Sequence, residues 1–290
     1  MASSIPEVRT FLDAATHTFS HVVRDPDSTA CAIIDSVLAF DAATGGLDTQ
    51  PCQALIDYVR DAGLEVQWLL ETHVHADHLT AAAYLKDCLG GRTGIGEQTI
   101  QLQARFAEDF NFGPEFVADG SQFDRLFQDG DRFRIGTLTA RVLSTPGHTP
   151  ACVSYVIGDA AFVGDTLFMP DSGTARCDFP GGDARTLYRS ITRILTLPPQ
   201  TRLFLCHDYQ GGEPAQIRYQ TTVAAQREAN VHVHEGVTEP AFVALRTERD
   251  AALPMPLLFP FAVQVNIRAG RLPSPEHNGQ VYLKVPVHRV

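Results

Sequence analysis

A dense group of potential metal ligands occupies residues 71–78, which read Glu-Thr-His-Val-His-Ala-Asp-His. Three imidazoles and one carboxylate of this segment could bind a metal, namely His73, His75, Asp77 and His78. Neutral imidazoles together with a carboxylate are ligands that suit a first-row transition metal. Histidines that only cap a helix are the structural alternative, but three of them beside an aspartate at this spacing favour a metal site.

Three further candidate ligands lie far along the chain, at His148, Asp165 and His207. Each follows an apolar segment that is typical of a buried strand, and the first two come directly after a glycine that permits a tight turn. Loops at one end of a rigid sheet bring such side chains together. We therefore expect these three residues to join the group at 71–78 in one site.

The elements that must position these ligands alternate between short apolar segments and amphipathic stretches. We also expect a C-terminal strand close to Arg268, and helix and loop after residue 224. The spacing of apolar residues predicts helices that begin after Thr49 and cover 79–89, 100–110 and 184–197. Strands are predicted at 18–23, 32–35, 37–41, 66–70, 133–135, 138–143, 153–157, 161–163 and 202–206.

Two β-rich halves, each followed by helices, make up this pattern. It predicts an α/β protein with a sheet-on-sheet core and helices on both outer faces. No strong Pro- or Gly-rich linker divides the sequence. We therefore expect one domain over residues 1–290, with 225–290 as a helix and loop extension packed on it.

The composition is that of a globular protein, since 44% of the 290 residues are hydrophobic and 20% are charged. The formal net charge of −11 disfavours binding to nucleic acid or to an anionic membrane surface. An anionic substrate would therefore need a local basic pocket. No apolar run approaches the roughly 20 residues of a membrane-spanning helix, and the N-terminus lacks a signal-peptide pattern. We therefore expect a cytoplasmic protein.

Six cysteines are scattered along the chain without a C-x-x-C pair, which favours reduced and mostly buried thiols. Cys177 lies in a glycine-containing loop near the expected site, and buried packing is favoured there over a reactive role. Four histidines have structural alternatives to a functional role. His17 and His21 fit a strand face, whereas His232 and His234 fit the surface or a pocket rim better than a second metal site.

Four short segments, T-H-V-H-A-D-H, T-P-G-H-T, G-D-T-L-F and C-H-D-Y, together resemble the metallo-β-lactamase superfamily over about residues 15–210. This resemblance implies an αββα sandwich with a metal site at one edge, but the superfamily hosts many reactions. Two further segments, 169–179 and 265–270, resemble the persulfide dioxygenase (ETHE-like) branch, in its bacterial type with a longer C-terminal tail.

The resemblance to this branch implies one iron(II) ion per chain, held by His73, His148 and Asp165. Two imidazoles and one carboxylate form the ligand set of non-heme iron oxygenases, which leaves positions open for O₂ and a substrate sulfur. The implied reaction is the oxidation of glutathione persulfide by O₂ to sulfite and glutathione. The remaining potential ligands would orient the first three or fill a second metal position, and these are His75, Asp77, His78 and His207.

Glutathione carries two carboxylates, for which arginine side chains are natural partners. The resemblance points to Arg176 and Tyr209 as substrate contacts, and Arg268 is a further candidate. The loop around Arg176 reads G-T-A-R-C-D-F here, whereas the animal-type pattern of the branch is G-C-G-R-T-D-F. A homodimer is the default expectation for the assembly.

Two other functions remain open at this point. The full H-x-H-x-D-H segment with His207 permits a hydrolase of glutathione thioesters, similar to glyoxalase II, with two zinc or mixed metal ions. A non-catalytic sensor of persulfides or metals is the third possibility.

Overall fold

Two six-stranded β-sheets and a small three-stranded sheet organise the computed structural model, which describes residues 5–208 and 217–287. In chain order the strands are β1 (Glu7–Asp13), β2 (Thr18–Arg24), β3 (Ala30–Ile34), β4 (Val37–Asp41), β5 (Gly46–Asp48), β6 (Glu65–Leu70), β7 (Leu79–Thr80), β8 (Arg92–Gly96), β9 (Arg125–Phe127), β10 (Arg132–Ile135), β11 (Leu138–Ser144), β12 (Val153–Ile157), β13 (Ala160–Phe162), β14 (Arg202–Phe204) and β15 (Gln220–Thr222). The helices are α1 (Gln50–Asp61), α2 (Ala82–Leu89), α3 (Thr99–Asp109), α4 (Ala184–Ile194), α5 (Val223–Ala229), α6 (Glu239–Asp250) and α7 (Phe259–Asn266).

The strand order places the ends that carry the ligands at one edge of each large sheet. The first sheet runs β1-β2-β3-β6-β8-β9, and its last four strands are parallel neighbours. The second runs β10-β11-β12-β13-β14-β15, in which β13 and β14 are parallel and β11 to β13 alternate in direction. The carboxyl ends of β11, β13 and β14 therefore lie at the same edge.

The main core lies between the two large sheets. Strand residues of alternating burial, as in β11, direct every second side chain into it. Trp68 of the first sheet packs on Phe133 of the second, with ring centroids 5.0 Å apart, and Tyr155 is completely buried beside them. Burial of such aromatic side chains contributes about 2–3 kcal/mol each, so this layer holds the sheets together.

Helices cover both outer faces of the sandwich. Ile56 of α1, Leu85 of α2 and Val265 of α7 pack on the first sheet. Leu187 of α4 and Phe242 of α6 pack on the second. The predicted α/β sandwich with helices on both sides is confirmed. Because α6 and α7 bury apolar side chains against the rest of the chain, we propose that residues 225–290 belong to the same domain.

Two local predictions were wrong. The helix expected from residue 79 begins at Ala82, because Leu79 and Thr80 pair with β4 as the short strand β7. The segment before Arg268 forms the helix α7 rather than a strand. The helix predicted after Thr49 begins at Gln50 as α1, with Thr49 at its N-terminal cap position and without a capping hydrogen bond from the Thr49 side chain. In the described ranges, no helix is long and apolar enough to cross a membrane.

Candidate metal centre

His73, His148 and Asp165 converge from three separate loops. His73 follows β6, His148 lies between β11 and β12, and Asp165 lies in the 3₁₀ turn Gly164–Thr166 after β13. One potential ligand atom of each lies within 4.8 Å of the others. Asp165 Oδ2 is 3.8 Å from His73 Nε2 and 3.6 Å from His148 Nε2. The fold therefore assembles a two-imidazole, one-carboxylate group from residues that are distant in sequence.

Hydrogen bonds fix both imidazoles so that Nε2 faces the group. His148 Nδ1 donates to the backbone carbonyl of Arg176 at 2.7 Å, which leaves Nε2 with its lone pair. His73 Nδ1 lies 3.0 Å from Thr72 Oγ1. His73 Nε2 is buried without a hydrogen-bond partner among the described residues, an arrangement that is costly unless a ligand such as a metal ion binds there. The donor set therefore fits a transition-metal ion.

A second group of donors adjoins the first. Ligand atoms of His75, Asp77 and His78 also lie within 4.8 Å of one another. His207 Nε2 is 3.2 Å from Asp77 Oδ2 and 3.3 Å from Asp165 Oδ1. Asp165 thus lies between the two groups. The structure brings together all seven candidate ligands, and this arrangement can hold either one or two metal ions.

The electrostatic surroundings differ among these histidines. Burial and the neighbouring histidines hold the pKa of His73 well below its usual value, and burial likewise lowers the pKa of His78. Burial also acts to lower the pKa of His75, but the Asp35 carboxylate outweighs it and raises that pKa well above the usual value. His73 and His78 are therefore neutral imidazoles, which is the form that binds metals.

Asp35 orients the ligand loop, the segment of residues 71–78 that carries four candidate ligands, and sequence reasoning missed this role. Its carboxylate accepts hydrogen bonds from the backbone and the hydroxyl of Thr72 at 2.8 and 2.9 Å, and contacts His75 Nε2 at 3.0 Å. Glu71 Oε2 lies 3.2 Å from the same nitrogen. The signal was present, because Asp35 directly follows the buried strand β3, as the ligands follow theirs.

Asn266 is the second residue that sequence reasoning missed. Its side-chain amide donates to the backbone carbonyls of His75 and His78, both at 2.8 Å. Its side-chain oxygen accepts from the backbone N–H of Thr80 at 2.8 Å. Asn266 is the last residue of α7, so the segment 265–270 holds the backbone of the ligand loop in place through these hydrogen bonds.

A cavity of about 360 Å³ opens beside the first group of donors. Asp77, His148 and Asp165 line it, together with two phenylalanine side chains. Among the other lining residues are three arginines, namely Arg176, Arg246 and Arg249. In a chain of net charge −11, these guanidinium groups bring positive charge to a cavity that the carboxylates of Asp77 and Asp165 also line.

Of the predicted substrate contacts, the structure brings only Arg176 to this cavity among the described residues. The fork of Arg176 binds Asp178, with nitrogen–oxygen distances of 2.6 and 2.7 Å, and its role towards a substrate stays a prediction. Arg268 lies elsewhere, with its guanidinium 4.1 and 4.3 Å from the ring centroids of Phe112 and Phe116. Tyr209 lies outside the described residues.

The remaining candidates have structural positions. Cys177 is a buried thiol whose pKa is raised by burial. His21 donates from Nε2 to the backbone carbonyl of Leu205 at 3.0 Å, and burial lowers its pKa to about 4. The backbone carbonyl of His17 accepts a hydrogen bond from His207 Nδ1 at 3.1 Å. His232 is buried and accepts from the backbone N–H of Thr174, whereas His234 is exposed.

Similar proteins agree with this architecture. A probable metallo-hydrolase of Burkholderia pseudomallei is 55% identical and covers 98% of this chain and 99% of its own length. Glyoxylase B2 of Dictyostelium discoideum is 47% identical, with 99% and 98% covered. The human mitochondrial persulfide dioxygenase ETHE1 is 30% identical, with 91% and 88% covered. These relatives thus include one named as a metallo-hydrolase, one named as a glyoxylase and one named as a persulfide dioxygenase.

Comparison with solved structures finds another ETHE1 protein. The crystal structure of ETHE1 from Myxococcus xanthus superposes with a TM-score of 0.73 at 28% identity, and covers 91% of this chain and all of that one. The sequence model of the metallo-beta-lactamase superfamily matches residues 14–207. The resemblance to ETHE-like proteins is thus confirmed, and the chain belongs to the metallo-beta-lactamase superfamily.

Proposed function

We propose that this protein is a persulfide dioxygenase that uses a single iron(II) ion to oxidise glutathione persulfide with O₂. The observation that carries the proposal is that two features occur together at one site. His148 and Asp165, two members of the group formed with His73, line a cavity, and arginines line the same cavity although the chain as a whole is acidic. The similarity to persulfide dioxygenases named ETHE1 supports the same function.

The overall reaction balances without a further reductant. One glutathione persulfide, one O₂ and one water give one glutathione and one sulfite with its two protons. The terminal sulfur loses four electrons, O₂ gains four, and the sulfur–sulfur bond breaks as water supplies the third oxygen of sulfite. Bound iron(II) would supply open coordination positions for a sulfur anion and O₂.

The residues of the chain hold the reactants in place. The backbone carbonyl of Arg176 fixes the ring of His148, so the loop that carries this cavity-lining arginine also orients a ligand. Phe179 packs edge-on against the same imidazole, with ring centroids 5.1 Å apart, and lines the cavity. Apolar walls of this kind exclude water around a charged sulfur. An arginine of the cavity wall would bind a carboxylate of the carrier.

A hydrolase is the second candidate, because the donors of a second metal position are also present. Asp77, His78 and His207 lie together on the far side of Asp165. These residues would hold a second metal ion, and a two-metal centre would supply the hydrolytic chemistry that cleaves a thioester. The similarity to glyoxylase B2 of Dictyostelium discoideum supports this alternative.

Oxygen uptake by the iron-loaded protein tests the proposal. With glutathione persulfide we expect one O₂ consumed and one sulfite formed per persulfide. Hydrolysis of S-D-lactoylglutathione, assayed on the same preparation, should be absent or slower. Thioester hydrolysis without persulfide-dependent oxygen uptake would contradict the dioxygenase function and support the hydrolase. No turnover of either substrate would favour the sensor.

A further inference from the structure

The three arginines of the cavity differ in how their charge is balanced. Arg176 forms its two-pronged ion pair with Asp178. Arg246 is buried and binds Asp250, with its Nε and Nη2 atoms 2.8 and 2.7 Å from Oδ1 of that carboxylate. Both guanidinium groups therefore already have a carboxylate, and a substrate carboxylate would have to compete with it.

Arg249 is different, because no carboxylate of the described residues lies within ion-pair distance of its side chain. It lies in the last turn of α6, is exposed, and lines the same cavity as His148 and Asp165. Arginine retains its charge at all physiological pH values and presents two parallel N–H donors to a carboxylate. Among the described residues, Arg249 is thus the cavity-lining arginine without a carboxylate partner.

Two chemically different kinds of group therefore line the cavity. The metal ligands are one kind, and a soft sulfur anion can bind beside them when the metal is present. Arg249 is the other kind, and it can form a charge-assisted hydrogen bond with an acidic group. A ligand that carries a sulfur at one end and a carboxylate at the other matches both kinds of group.

We propose that Arg249 binds a carboxylate of the persulfide carrier and thereby selects acidic low-molecular-weight persulfides over uncharged ones. This inference rests on the function proposed above for the same site. A purely structural role is the alternative, because a basic side chain in the last turn stabilises a helix through its dipole. Such a role would affect the free energy of unfolding but would not depend on the charge of the substrate.

The chain offers a closely matched control. Arg60 is exposed and occupies the same position in α1 that Arg249 occupies in α6, since both are the penultimate residues of helices of 12 residues. No carboxylate of the described parts of the chain forms an ion pair with Arg60 either. Arg60→Gln and Arg249→Gln therefore remove the same charge from equivalent helix positions, but only the latter changes the cavity.

The test compares KM and kcat for glutathione persulfide and for the persulfide of glutathione diethyl ester, in which both carboxylates are blocked. Arg249→Gln should raise KM for the acidic substrate about 10-fold and change kcat little, because it removes a binding contact to a part of the substrate that does not react. KM for the diester should stay unchanged, and Arg249→Lys should recover part of the lost affinity. Arg60→Gln should affect neither substrate.

Equal effects of Arg249→Gln on both substrates, or no effect on either, would overturn the inference. Calorimetric binding of glutathione without O₂ separates this outcome from a failure of the proposed function. The unchanged protein could consume no O₂ while Arg249→Gln still weakens glutathione binding about 10-fold. That result would support the carboxylate contact and contradict the dioxygenase function. If O₂ is consumed and glutathione binds the unchanged protein and Arg249→Gln equally, the dioxygenase function is supported and the role of Arg249 is contradicted.

Discussion

Asn266 donates a hydrogen bond from its side-chain amide to the backbone carbonyl of His78 at 2.8 Å, although 188 residues separate the two in the chain. The same amide also reaches the carbonyl of His75. The C-terminal helix α7 therefore fixes the backbone of the loop that carries four of the candidate ligands. This contact connects the metal centre to a part of the chain that supplies no candidate ligand of its own.

Asn266→Ala should weaken metal binding, because it frees two loop carbonyls and the backbone N–H of Thr80 from their shared partner. We expect a loss of affinity of about 10–100-fold, as for other groups that orient metal ligands. Competition with a chelator measures it. Asn278→Ala is the control, because that exposed amide bonds to the Tyr282 hydroxyl and the backbone N–H of Gln280, and its loss should leave metal affinity as it is. Equal affinities in both variants would contradict the positioning role.

Asp35→Ala should destabilise the fold strongly. The buried carboxylate accepts two hydrogen bonds from Thr72 and contacts His75, so its removal leaves several buried polar groups without a partner. We expect a loss of about 3–5 kcal/mol in the free energy of unfolding. Urea denaturation measures this quantity. Asp57→Ala, at an exposed position in α1, should change it by less than about 0.5 kcal/mol.

The stability should depend on the protonation of His21. Its pKa is about 4 in the folded protein, because burial disfavours the charged form, and 6.5 is the ordinary value. The unfolded chain therefore binds a proton at this residue between pH 6.5 and pH 4, while the folded one does not. Stability is full above this window and falls as the pH decreases through it, by up to about 1.4 kcal/mol per pH unit.

Replacement of His21 by glutamine should remove this contribution. Urea midpoints measured at several pH values within the window should then fall less steeply for His21→Gln than for the unchanged protein. Parallel curves for the two proteins would show that His21 does not bind its proton differently in the folded and unfolded states.

Arg268 should act through packing rather than through substrate binding. Its guanidinium lies over the rings of Phe112 and Phe116, outside the cavity of the metal centre. Arg268→Met should therefore cost about 1–2 kcal/mol of stability and leave KM unchanged. The exposed Arg271→Met provides the comparison for stability. A raised KM with unchanged stability in Arg268→Met would show instead that Arg268 contacts the substrate.

The ligands were predictable because each follows an apolar segment of strand type. His73, His148, Asp165 and His207 all obey this rule. The alternation of β11 to β13, with β14 parallel to β13, brings the carboxyl ends that precede the last three to one edge. Asp35 obeys it too, but a lone aspartate after a strand has no motif that distinguishes it. Only the contact with His75 reveals its role.

The C-terminal segment was harder to predict for a physical reason. The residues Ala262 and Val263 to Val265 are buried on all sides, so their apolar pattern lacks the polar face that marks an ordinary surface helix. A short buried segment rich in β-branched residues resembles a strand for this reason. The aromatic partners of Arg268 come from residues about 150 positions earlier, and no local pattern connects them.

The metal content of the purified protein tests the central claim most directly, measured by elemental analysis on the unchanged chain and on Asp165→Ala. We expect about one iron per chain in the former and almost none in the latter, because Asp165 is the carboxylate of the group formed with His73 and His148. Two zinc or mixed ions per chain, or iron that remains after Asp165→Ala, would contradict a single iron held by these three residues.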